Sequence, residues 1–339
     1  MKFGFMEDFR NPVKWRRPFP ELYQAILQQI SLGEELGFDN VWLTEHHFTE
    51  DGYNPSIMPT AAAVAARTSR IRIGSFILLA PFQHPVRIAE DTACVDIFSN
   101  GRFDLGLGQG YSHYEFEAFN IPRKERGPRL QECSELVRRL FTEDKVSLEG
   151  RFTTVNNAVL SPKPIQEPHP PLWIGARAPK GIERAARLGY HLMCTFGPDP
   201  APLYIDTLKQ EGRNPDDFNI AQLRMVYCAE TEDQAWEDAQ DHLFHMMDFY
   251  KDILTEANDA EGDDKPLPFD SPEGIRRSGA DIGMFGTPDQ VAKKMEAFCD
   301  EFECTHFIMN TQFPGLDPAK GSRSMELFAR EVMPHFRDR

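Results

Sequence analysis

Glu45, His46 and His47 stand together at the end of an apolar run, Asn40-Val41-Trp42-Leu43-Thr44. A parallel strand buried on both faces is apolar along nearly its whole length, so titratable groups gathered at its C-terminal end need a reason other than packing. The chemistry this trio offers is proton transfer, because an imidazole titrates near neutral pH and an adjacent carboxylate tunes it. Metal binding is the poorer reading. Neighbouring strand residues point to opposite faces, so His46 and His47 do not readily reach one ion, and no metal is expected.

Three further stretches end in polar or small residues in the same way. Ile71 to Leu79 is an apolar run that contains Ser75, Phe76 and Ile77. Gly106-Leu107-Gly108-Gln109-Gly110-Tyr111 superficially resembles a dinucleotide fingerprint. It lacks the third glycine at the required spacing and runs into a loop, so its glycines are read as allowing close approach of a flat ring or of backbone. Gly175-Ala176-Arg177-Ala178-Pro179 passes from a strand into a helix start, where backbone N–H groups and a guanidinium would take an anionic group.

These strand ends need elements that bring them to one place. Leu22, Ala25, Ile26, Gln29, Ile30, Gly33 and Leu36 recur at spacings of three and four, one face of a helix that Gly37 closes. The alternation of strand and helix then continues to the final helix, predicted from Ser324 to Val332. Strands are predicted at 2–6, 40–45, 71–79, 101–108, 172–175, 191–196, 223–228 and 305–310, with a β excursion from Val146 to Val159. The pattern predicts one (β/α)8 TIM barrel with insertions, a single domain over residues 1–339, in preference to a two-domain doubly wound protein. In such a barrel the loops after the strands form one mouth, which collects Glu45, His46, Ser75, Gln109, Tyr111, Arg177 and Asn310. Phe82, Trp15, Phe116 and Phe119 fall on the same loops as candidate pocket walls. Residues 257–283, acidic and rich in Gly and Pro, are read as a mobile insertion or lid.

The balance of 37 Lys and Arg against 53 Asp and Glu gives a net charge of -16, which excludes nucleic acid and anionic membranes as natural partners. No apolar run approaches the ~20 residues of a membrane span. The opening Met1-Lys2-Phe3-Gly4-Phe5-Met6 reads as a strand and not as a secretory signal, and the scattered cysteines read as reduced thiols. A cytoplasmic location is therefore expected.

Lys2-Phe3-Gly4, Leu36-Gly37-Phe38-Asp39, Val41-Trp42-Leu43 and above all Glu45-His46-His47-Phe48 resemble the bacterial luciferase-like family of flavin-dependent monooxygenases, particularly the catalytic alpha subunit of luciferase. His84-Pro85-Val86-Arg87, Gly101-Arg102-Phe103, Ala185-Ala186-Arg187-Leu188-Gly189 and Gly286-Thr287-Pro288 extend the resemblance along nearly the whole chain. It implies a two-component enzyme that takes FMNH2 from a separate NAD(P)H-dependent flavin reductase. With O2 it would form a flavin C4a-hydroperoxide and oxidise a small to medium apolar organic substrate. His46 falls on the family's catalytic histidine, and Glu45, Ser75, Phe76, Ile77, Gln109, Tyr111, Ala176, Arg177 and Ala178 on its cofactor-binding side. The resemblance also implies a non-prolyl cis peptide between Phe76 and Ile77, and a homodimer.

Two departures matter. Luciferase has a cysteine and a phosphate-binding arginine where this chain has Gly108 and Gln109, and a glutamate where it has Arg177. Arg177 is therefore expected to take over the phosphate charge, with Gln109 and Tyr111 hydrogen-bonding nearby. The alternatives are an F420-dependent oxidoreductase on the same barrel, or a non-catalytic flavin-binding partner subunit.

Overall fold

The computed structural model describes residues 1–257, 270–278 and 283–337. Among them eight strands close on themselves: β1 (Lys2–Glu7), β2 (Asn40–Leu43), β3 (Arg72–Ser75), β4 (Phe103–Gly108), β5 (Leu172–Gly175), β6 (His191–Cys194), β7 (Ile220–Cys228) and β8 (His306–Asn310). Every pairing around the ring is parallel, and β8 returns to β1 with Lys2 beside His306 and Phe5 beside Met309. The expected TIM barrel is the observed one.

Among the described residues nine longer helices cover it: α1 (Phe19–Glu35), α2 (Ile57–Ala65), α3 (Pro85–Ser99), α4 (Arg126–Thr142), α5 (Pro179–Leu188), α6 (Ala201–Gln210), α7 (Glu232–Ala257), α8 (Pro288–Glu301) and α9 (Pro318–Leu327). Local chemistry sets their ends. Thr287 and Gln290 form a reciprocal capping box at the start of α8. α5 starts with Pro179 and stops where Gly189 turns left-handed at φ 71. The predicted excursion is an antiparallel hairpin, Val146–Glu149 against Thr154–Ala158.

The predicted strand from Ile71 to Leu79 is not continuous. It breaks after Ser75, the Phe76–Ile77 peptide bond is cis, and pairing with β4 resumes at Leu78 and Leu79. The loop expected after β4 holds a short helix, His113–Ala118. Of the predicted lid at 257–283, Pro272–Ser278 is a short helix, while 258–269 and 279–282 lie outside the described residues.

The barrel interior is filled by Met6, Trp42, Phe76, Trp173, Met193, Ala221, Leu223 and Ile308. Trp42 and Trp173 meet edge to face at 5.5 Å, and Gly74 leaves the room for Trp42, since a Cβ there would sit inside its ring. Each indole buries on the order of 200 Å² of surface, worth roughly 5 kcal/mol at about 25 cal/mol per Å². A second apolar cluster, Met225, Tyr227, Trp236, Leu243, Met246, Phe285, Phe313 and Leu316, fastens α7 to the rim above β7 and β8. That attachment holds the later part of α7 over the mouth.

Candidate active site

His46 leaves β2 just beyond its C-terminal end and is buried, 6% exposed. Both ring nitrogens are used. Nδ1 lies 2.9 Å from Glu115 Oε1 and Nε2 lies 3.0 Å from the Tyr111 hydroxyl. A carboxylate only accepts, so Nδ1 carries the proton and Nε2 accepts from Tyr111. Tyr111 can play donor because burial holds its pKa well above the usual tyrosine value. The result is a relay, Tyr111 to His46 to Glu115, with Glu115 wholly buried and steadied by the backbone N–H of His47 at 2.8 Å.

His47 turns away from His46, toward Glu45. Its Nε2 donates to Glu45 Oε1 at 2.8 Å, and the other Glu45 oxygen accepts from the backbone N–H of Leu79 at 3.4 Å. Glu45 thus ties β2 to the segment after the cis peptide, and both its oxygens already have partners within the protein. Ser75 is similarly committed: it is fully buried, donates to the Gly106 carbonyl and accepts from the Gly106 N–H, each at 2.8 Å. Phe76 packs into the barrel interior, and Ile77 lies over Gly108 and Gly175, where a Cβ would collide with its side chain. These residues build the floor of the mouth.

Gln109 sits on a different wall, its Oε1 accepting from Arg184 Nη1 at 3.1 Å. Burial and the nearby charge of Arg126 both push the Arg184 pKa down. Arg184 and Arg126 are thus close enough for their charges to interact beside Gln109. Ala176, Arg177 and Ala178 stand where β5 passes into α5, with Arg177 exposed. The basic group in contact with Gln109 is Arg184, which the sequence did not single out because helical arginines give no signal of their own.

A box of rings surrounds His46: Tyr53 at 4.8 Å, Tyr111 at 5.4 Å, Phe249 at 6.2 Å and Tyr250 at 6.3 Å. Phe249 and Tyr250 come from α7, and the Tyr250 and Tyr53 hydroxyls are 3.0 Å apart. The expected pocket aromatics lie elsewhere. Phe82, Phe116 and Phe119 pack on one another and Phe119 on the outer face of His47, while Trp15 packs on His242. The sequence signal for the ring box was weak, because it depends on where α7 lands.

Beside this box β1 ends in Glu7, Asp8 and Arg10, all buried. Arg10 Nε donates to Asp51 Oδ2 at 2.6 Å, and the guanidinium lies 4.1 Å from the Phe249 centroid. Burial raises the Asp8 carboxyl to about 6 against the pull of Arg10, and holds Glu7 well above the usual carboxylate range. The polar end of β1 could have been read from the sequence by the same rule that picked out Glu45 and His46.

A cavity of about 380 Å³ opens at the opposite, N-terminal face, bordered by Lys2, Asp39, Arg72 and His306. Its charges pair among themselves and with the strand bases, Lys2 with Asp39 at 3.3 Å and Arg72 with Asp104 at 2.7 Å. In this fold the N-terminal face serves stability, and chemistry belongs to the mouth. Among the described residues there is no group of three or more His, Cys, Asp or Glu that could hold a metal ion. No helix among them is long and apolar enough to cross a membrane.

Fold and site together describe a (β/α)8 barrel whose mouth holds a buried Tyr111–His46–Glu115 hydrogen-bond chain. The chain belongs to the luciferase-like monooxygenase family, whose model matches residues 1–301. It is 27% identical to the oxygenase component of the flavin-dependent trigonelline monooxygenase of Acinetobacter baylyi (strain ATCC 33305 / BD413 / ADP1), over 93% of this chain and 90% of that protein. It is also 26% identical to an F420-dependent glucose-6-phosphate dehydrogenase of Microbacterium testaceum (strain StLB037), over 91% and 92% of the two chains. Among solved structures, the monooxygenase RslO1 from Streptomyces bottropensis superposes with a TM-score of 0.86 at 28% identity, covering 99% of this chain and 100% of that one.

Proposed function

We propose that this chain is the oxygenase component of a two-component monooxygenase, taking FMNH2 from a separate NAD(P)H-dependent flavin reductase and using O2 to oxidise an organic substrate with a mainly apolar body. The observation that carries the reading is the Tyr111–His46–Glu115 relay, a positioned proton donor and acceptor at the barrel mouth. The family and the Acinetobacter relative's description as an oxygenase component support it.

The residues present fit a flavin with an anionic tail. Arg184, Arg126 and Gln109, with Arg177 at the strand exit, would hold the phosphate, while Ile77 and Phe76 would underlie the ring. Bound reduced flavin supplies the electrons with which dioxygen is activated. The chain's own residues do the rest. Tyr111 donates a hydrogen bond to His46 Nε2 and positions the ring, and Nε2 is the atom at which His46 would take up a proton from the reacting group or return it. Glu115 holds the Nδ1 proton and stabilises the imidazolium when it forms. Phe249, Tyr250 and Tyr53 keep water from the reacting face.

A second reading is favoured by one finding, the similarity to an F420-dependent dehydrogenase over most of the chain. Anaerobic titration with FMNH2 and with reduced F420, followed by measurement of O2 uptake, separates the two. The proposal expects saturable FMNH2 binding and flavin-dependent O2 consumption. Tight binding of F420 with no response to FMNH2 contradicts it.

A further inference from the structure

Arg10 is buried at the mouth with its side chain 0% exposed, yet among the described residues its Nε is the one side-chain nitrogen with a hydrogen-bond partner. Nη1 and Nη2 are both buried and without a hydrogen-bond partner. Leaving buried donors unmade costs about 1–3 kcal/mol each, more for charged groups, so a fold keeps such an arrangement where a ligand or ordered water completes it. Position favours a ligand. The guanidinium lies 4.1 Å from the Phe249 centroid and 5.3 Å from the Tyr53 centroid, and those two rings are 6.2 and 4.8 Å from the His46 ring. Arg10 and His46 therefore share the same aromatic walls.

The surrounding charge narrows what the two donors accept. Asp51 already bonds Nε, and Asp8 accepts from the backbone N–H of Arg10 at 3.0 Å, so one cation stands between two acids. An incoming carboxylate would add a third negative charge to a group already compensated, in a site shielded from water. A neutral carbonyl oxygen uses the same two N–H donors without that cost. Asp8 Oδ2, buried and also without a partner, leaves one acceptor beside them.

We propose that Arg10 is the substrate-recognition group of this site, its Nη1 and Nη2 donating to the carbonyl oxygen of a neutral, aromatic or alicyclic ketone, ester or amide whose body rests against Phe249 and Tyr53. The assignment deepens the proposed function and rests on it for the identity of the reaction. Recognition itself involves neither flavin nor oxygen, so it is tested apart from them.

The test is equilibrium binding to the full chain, with and without oxidised FMN. It compares the ketones acetophenone, 1-tetralone and anthrone with the matched hydrocarbons ethylbenzene, tetralin and 9,10-dihydroanthracene, and with benzoate and 1-naphthoate. A hydrogen bond to a charged donor predicts that at least one ketone binds about 10- to 100-fold tighter than its hydrocarbon. The double variant R10Q/D51N, which removes both members of the ion pair together, should erase that preference and leave hydrocarbon binding within about threefold. If the variant does not fold, the C=O stretch of the bound, 13C-labelled ketone on the wild-type protein decides, and a value below that in water is expected. Equal affinity for ketone and hydrocarbon, tighter binding of the carboxylates, a preference that survives in the variant, or a hydrocarbon-like carbonyl stretch would each overturn the assignment. A failure here with intact FMNH2-dependent O2 uptake removes only the role of Arg10.

Discussion

Polar groups line both ends of the barrel, and Arg72, Asp104, His191 and Thr305 at the N-terminal end are paired while several buried ones at the mouth are not, although Trp42 Nε1 and Gln222 Nε2 in the barrel interior also lack a partner among the described residues. At the N-terminal end Arg72 Nε donates to Asp104 Oδ2 at 2.7 Å and Trp173 Nε1 to the other oxygen at 3.2 Å, while His191 Nδ1 accepts from the Asn219 N–H and Thr305 meets His306. None of these atoms lacks a partner. At the mouth Arg10 Nη1 and Nη2, Asp8 Oδ2, Glu115 Oε2, Asn54 Nδ2 and Asn310 Oδ1 are buried without one. Closed networks rigidify, and open ones invite a ligand. The same strands thus supply stability at one end and unfinished hydrogen bonding at the other.

The contrast can be broken by showing that mutations at the two ends have interchangeable effects. The largest expected separation is at His46. His46→Asn should lower turnover by about 10²- to 10⁴-fold, the usual worth of positioned acid–base catalysis, with FMNH2 affinity nearly unchanged. Steady-state kinetics beside an anaerobic titration measures both. At the other end Asp104→Ala leaves Arg72 and the Trp173 N–H without their acceptor and should cost roughly 3 kcal/mol of stability, read by denaturant unfolding, with cofactor affinity preserved.

The pH dependence of stability should have one sign for Asp8 at the mouth and the opposite sign for His191 and His306 at the N-terminal end. Burial raises Asp8 from 3.8 to about 6, so the folded state holds that proton more tightly than the unfolded chain. Its contribution is greatest below pH 4 and is lost as pH rises through 6, at a cost of up to about 3 kcal/mol. Asp8→Asn should therefore gain stability over the wild type at pH 8 and little at pH 4. Burial lowers His191 and His306 from 6.5 to about 4, so their contribution is present above pH 6.5 and lost as pH falls through 4. His306→Asn should flatten the acid side alone. Unfolding free energies of the three proteins across pH 4 to 8 check both signs.

A smaller effect sharpens the map of the mouth itself. Arg184→Ala should weaken FMNH2 about 10- to 100-fold, whereas Arg177→Ala, at an exposed position, should change it by no more than about fivefold. The reverse ranking, by anaerobic titration, would move the anion site to the β5 exit.

The barrel was legible because strand and helix periods alternate cleanly from Lys2 to Asn310, and a barrel places strand ends on one face. That reasoning reached His46, Gln109 and Tyr111 directly. It did not reach Glu115, which sits 69 residues from His46 in a short helix that reads as loop, nor Tyr250, 197 residues from the Tyr53 it meets. Such partners are set by the packing of α7 and the β4 loop, and no local spacing encodes it. For Glu45 and Ser75 the types suit a ligand site, and the fold adds that each also hydrogen-bonds within the protein, which no local spacing encodes.

The mouth is proposed to use His46 when reduced FMN meets oxygen. The most direct test of that role loads wild-type protein and His46→Asn with FMNH2 anaerobically, then mixes each with one pulse of oxygenated buffer in a stopped-flow spectrometer. The wild type should show a transient absorbance distinct from both reduced and oxidised flavin, and the variant should shorten or abolish it. Reoxidation of the wild-type complex at the rate of free FMNH2, with no transient, would contradict the account.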